Sequence, residues 1–68
     1  MKFKSEPLID NLNTNKISVK RFCELNHINL IVTSNLLKQT QKLNSVALST
    51  ILKISLATEI DLIDFLEK

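Results

Sequence analysis

Ser18 to Lys38 reads SVKRFCELNHINLIVTSNLLK, and the fold turns on how these residues divide. Ser18 can accept from the free backbone N–H groups that open a helix. Val19, Phe22 and Cys23 then recur at three- and four-residue spacing, with Asn26 closing the same stripe. Ile17, just before the cap, is placed to staple onto Phe22. A turn is expected at Asn26-His27, where positive φ is needed; Asn and His tolerate that geometry, and the chain has no glycine to offer. Asn29 is the next cap. Val32 and Leu36 share one stripe of a second helix and, with Ile28, can pack on Phe22 and Cys23, which turns Leu30, Ile31, Ser34, Asn35 and Lys38 outward.

The rest of the composition agrees with a small helical domain. Sixty-eight residues make one domain, below the size at which one core stabilises a fold comfortably, so dimer formation or well-idealised packing would help. Hydrophobic residues are 44% of the chain, and Phe3, Phe22 and Phe65 are its only aromatics. With no Gly, one Pro and no sustained alternation, the expected class is all-α. The single Cys23 excludes an internal disulfide and fits a small buried hydrophobe without redox role. A formal charge of +2 fits nucleic acid but also many proteins with no such partner. No apolar run approaches the ~20 residues of a membrane span, and the polar sequence after Met1 lacks a signal-peptide core, so a cytoplasmic protein is expected.

Along the chain, residues 1–4 are expected to form a flexible tail whose Lys2 and Lys4 are solvated. Ser5-Glu6-Pro7 signals a helix start, Leu8, Ile9 and Leu12 give its inner stripe, and the Asn-rich run 11–15 should end it near Thr14. Gln39 to Ser45 is polar except Leu43 and serves as a loop, with Asn44 or Ser45 capping the next helix. Leu48, Ile51, Leu52 and Ser55, widened by Ile54 and Leu56, predict that this fourth helix is largely buried. Thr58-Glu59-Ile60 makes a turn. Asp61 is expected to cap a fifth helix, with Ile60 stapled onto Phe65, Leu62 and Leu66 pointing inward, and Ile63 on another face, free to join a small dimer contact.

These patterns resemble the phage repressor and Cro (XRE-like) group of helix-turn-helix regulators, from Leu8 onward. In ISVKRFCELNHINLIVTSNL, Phe22 and Cys23 stand at the family's paired Leu-Ala core positions, Ile28 at the apolar position after the turn, and Leu36 at the late apolar position of the recognition helix. LSTILKISLATEIDLIDFL is similar to the closing helices, through Leu48, Ile51, Leu52 and Ile54 and then Ile60, Asp61, Leu62, Phe65 and Leu66. There are departures: His27 replaces the turn glycine, Asn26 a small apolar residue and Thr33 an apolar one. Leu37-Lys38-Gln39 stands where Glu-x-Gly often closes the helix. The resemblance implies a compact, lambda-repressor-like bundle of about five short helices, residues 1–68 forming one helix-turn-helix domain with its motif at 18–38.

The resemblance further implies a small transcription regulator that binds double-stranded operator DNA through residues 29–38. Leu30, Ile31, Ser34, Asn35 and Lys38 would face base edges. The helix starts at Ser18 and Asn29 and the side chains of Lys16, Lys20, Lys42 and Asn44 would meet phosphates. Asn35 can pair with adenine, Lys38 can reach guanine or phosphate, and Leu30 and Ile31 can touch thymine methyls. The same face has no Arg and two adjacent large aliphatics, which favours an alternative: an antirepressor that binds a partner repressor protein through Leu30, Ile31 and Leu37, with Ile63 a further candidate. Catalysis is not expected. His27 is the only His, the carboxylates are scattered over caps and outer faces, there is no Gly-rich phosphate loop, and neither metal nor cofactor is implied.

Overall fold

The computed structural model describes residues 1–67; Lys68, the last residue of the expected domain, lies outside them. The order is β1 (Lys2–Phe3), α1 (Glu6–Thr14), α2 (Val19–Asn26), α3 (Leu30–Leu37), α4 (Ser45–Thr58), a single 3-10 turn (Leu62–Phe65) and β2 (Leu66–Glu67). Among the described residues the protein is therefore mostly helical, with four α-helices and a two-strand ribbon.

Three helix starts arise from local chemistry. Ser18 Oγ accepts from Arg21 N–H (3.1 Å), Asn29 Oδ1 from Val32 N–H (2.9 Å) and Asn44 Oδ1 from Ala47 N–H (3.0 Å). Each satisfies one orphan donor of its helix. Ser5 makes no such bond and has helical dihedrals, so α1 opens on Pro7 and Glu6 alone. Helix ends are more unusual. Lys16, His27, Gln39 and Glu59 close the four helices at φ of 53°, 55°, 62° and 61°, the left-handed region that glycine normally fills. A residue bearing a Cβ gives up roughly 1 kcal/mol or more there.

The core gathers Leu8 and Leu12 of α1, Phe22 and Cys23 of α2, Ile28, Leu36 of α3, and Ala47, Ile51 and Ile54 of α4 around Phe3 and Phe65. Two polar residues are buried with them, Thr33 and Thr50. Each hydroxyl donates one turn back, to Asn29 O (2.8 Å) and Val46 O (3.1 Å), and no buried side-chain polar atom is left unpaired among the described residues.

Four expectations are corrected. Residues 1–4 are not a free tail, although Lys2 and Lys4 are exposed as expected: β1 pairs antiparallel with β2, Lys4 N–H donates to Phe65 O (2.6 Å), Gln39 Nε2 donates to Phe3 O (2.9 Å), and Phe3 is 3% exposed. The drive is the Phe3 ring, stacked on Phe65 at 5.8 Å between centroids. The expected fifth α-helix is the 3-10 turn, which lacks an Asp61 side-chain cap; the chain then extends at Leu66 to meet Phe3, leaving Leu62 and Ile63 exposed. α4 buries Ile51 and Ile54 as expected but is turned away from the leucines expected beside them. Ala47, Thr50, Ile51 and Ile54 go inward, and Leu48, Leu52 and Leu56 outward. Ala47 and Thr50 are small enough for neighbouring backbones to approach. Ile9 and Asn26 also lie on the surface, the Asn26 amide donating back to Phe22 O (2.9 Å).

Candidate functional site

The face of interest is built by α2, the turn at His27 and α3. His27 takes the left-handed conformation its position demands and donates its backbone N–H to Cys23 O, which stops α2. Ile28 N–H also donates to Cys23 O (2.9 Å), so the chain reverses within two residues and Asn29 can begin α3. Phe22, Cys23, Ile28, Thr33 and Leu36 fill the space between the two helices and the core. α3 is thereby held from behind, and its other side is set by its 3.6-residue period.

On that side, Ile31 and Lys38 are exposed, Leu30 only just so, and Ser34 and Asn35 half-buried. The Asn35 carbonyl takes Thr40 N–H (2.9 Å), Gln41 N–H (3.3 Å) and the Thr40 hydroxyl (3.3 Å), which ties the loop after α3 to the helix without using the Asn35 side chain. Leu37, expected at the edge of the presented face, is instead half-buried against the core, because α3 is followed closely by the Gln39 turn. Ile63, exposed in the 3-10 turn, belongs to a different element.

The expected phosphate ligands divide into two groups. Lys16, Lys20 and Lys42 are exposed cations. Ser18, Asn29 and Asn44 have their oxygen acceptors engaged in capping, so what they offer outward is a hydroxyl or amide donor beside the remaining first-turn N–H groups. Arg21 and Glu24 form a surface pair at 3.7 Å, the one ion pair among the described residues, and worth little in water. α3 itself carries no charged side chain before its cap, Lys38.

Burial pushes the Cys23 thiol up from its ordinary value, with a hydrogen bond to Thr33 pulling the other way, so the thiolate needed for attack is disfavoured. Among the described residues no three His, Cys, Asp or Glu side chains gather to hold a metal. Two features have no counterpart in the sequence reading. Leu25 is an exposed aliphatic on α2, and an open cavity of about 490 Å³ lies where β1 passes the loop after α3, between Phe3, Leu36, Gln39 and Leu43. The cavity depends on the β1–β2 pairing, for which two-residue strands give no sequence signal. Comparison with known protein families, with curated proteins and with solved structures finds no match.

Proposed function

We propose that α2, the His27 turn and α3 act as a helix-turn-helix of the phage repressor and Cro kind, and that the chain is a small transcription regulator binding double-stranded operator DNA through α3. The observation that carries this reading is the capped, left-handed turn between two short helices, with α3 anchored by Thr33 and Leu36 and its opposite side open. In the major groove, Asn35 reads adenine, Ser34 and Lys38 lie beside base edges or phosphate, and Leu30 and Ile31 meet thymine methyls. Lys16, Lys20, Lys42 and the first amides of α2 and α3 neutralise phosphates.

The test is fluorescence anisotropy with DNA from upstream of the protein's own gene, across a salt series. Asn35→Ala should lose about 1–3 kcal/mol and relax preference at one base pair, and Lys38→Ala should lower the salt slope by about one. Unchanged affinity in both variants refutes operator reading by α3.

A second reading rests on Ile31, 73% exposed beside Leu30 on a helix without Arg. In it, α3 docks on a partner repressor and blocks it. Ile31→Asp should then abolish a complex with a repressor encoded nearby while leaving DNA-free folding intact. A folded Ile31→Asp protein that still binds that repressor refutes it.

A further inference from the structure

α4 is covered on one side only. Leu48, Leu52 and Leu56, spaced four residues apart, form a row on the flank away from the core and are 42%, 48% and 72% exposed. The helix carries a single charge in fourteen residues, Lys53. A helix apolar on both flanks is expected to be covered on both. Ser45 and Ser49, exposed beside the row, are small enough to let another helix come close.

We infer that a second copy of the chain covers this row, the two α4 helices running antiparallel about a twofold axis at Leu52. The row is symmetric about that residue, so Leu52 meets Leu52 and Leu48 meets Leu56, as an interface shared by identical surfaces requires. Leu56 also walls an open depression of about 390 Å³ with Asn26, His27, Lys53 and Ala57, which gives the partner's Leu48 somewhere to go. The two ends of the helix are opposite in charge: Lys42 precedes its start, and Glu59 and Asp61 come after its end. Antiparallel pairing brings the acids of one copy to the lysine and positive helix start of the other, whereas parallel pairing sets like against like.

Three partly exposed leucines and two serines make a patch smaller than the ~800 Å² that a standard interface buries on each partner. The dimer is therefore a weak one, formed at high protein concentration. No residue of the row lies on α3, so changes at Leu52 leave the proposed base contacts in place and the two readings can fail separately.

Sedimentation equilibrium of the full chain over about 1 μM to 1 mM tests it, with circular dichroism confirming that each variant is folded. The wild type should pass from monomer to dimer. Leu52→Lys and Leu52→Glu should each weaken association at least ~100-fold, and an equimolar mixture of the two should dimerise again, because the opposed residues then attract. Leu56→Lys, at the most exposed position of the row, is the second disrupting variant should a change at 52 disturb the fold. A monomer at every concentration, or variants that associate as tightly as the wild type, overturns the inference. A mixture that stays monomeric overturns the placing of the twofold at Leu52.

Discussion

Replacing Phe3 with Ala tests whether the N-terminal segment belongs to the core. The ring is 3% exposed, lies flat on Phe65 with 6° between the planes, and its residue is held by Gln39 and the β2 pairing. A buried Phe removes about 150–200 Å² from water, roughly 4–5 kcal/mol at 25 cal/mol per Å², of which Ala retains a part. The expected loss is therefore about 3–4 kcal/mol, in line with large-to-small changes in other cores. A domain of this length has roughly 3–10 kcal/mol in total, so the variant should be marginal at 25 °C, with a Tm lower by some 15–25 °C. The assay is urea and thermal unfolding tracked by far-ultraviolet circular dichroism, because the chain has no Trp or Tyr for fluorescence. Phe3→Leu should lose about 1 kcal/mol and the exposed Lys2→Ala within about 0.5. A Phe3→Ala loss below about 1 kcal/mol would mean that the segment is a solvated tail after all.

Asn29→Ala removes the Oδ1 bond to Val32 N–H and should lower stability by about 1 kcal/mol in urea titration; no change would show that the start of α3 is satisfied by water. Lys16→Gly relieves a left-handed residue that has a Cβ, and after the entropy added to the unfolded chain it should gain about 0.5 kcal/mol or slightly more; a loss would contradict the φ of 53°. Burial raises the Cys23 pKa in the folded state, so the folded protein holds that proton more tightly than the unfolded chain. Its contribution is fully present below about pH 8.5 and declines as pH rises through and beyond the unfolded thiol's pKa. Unfolding curves from pH 7 to 10 should show this slope in the wild type and a shallower one in Cys23→Ala, while parallel slopes would place the thiol in water.

Legibility in the sequence tracks the range of the forces concerned. The caps at Ser18, Asn29 and Asn44 and the positive φ at His27 depend on a side chain and its own neighbours, and sequence is sufficient for them. The orientation of α4 is not legible in that way. Two stripes compete at helical spacing, one of leucines at 48, 52 and 56 and one through Ala47, Thr50, Ile51 and Ile54. Hydrophobicity favours the first, and the need for close packing against neighbours selects the second. β1 and β2 escape prediction because two residues have no periodicity and Phe3 and Phe65 sit at opposite ends of the chain. On α3, exposure of Ile31 and Lys38 comes from the period, whereas the burial of Leu37 depends on how the next loop folds back.

The four corners that join these helices have a consequence for motion. Glycine at a corner would swivel over much of the dihedral map, but Lys16, His27, Gln39 and Glu59 each occupy one narrow well from which a Cβ blocks most exits. The joints behave as brackets more than as hinges, and a denatured chain stiffened in the same way has less freedom to surrender when it folds. At Lys16 the left-handed well costs slightly more than this restraint returns, so the stiff joints limit how one helix can swing against the next without adding to net stability.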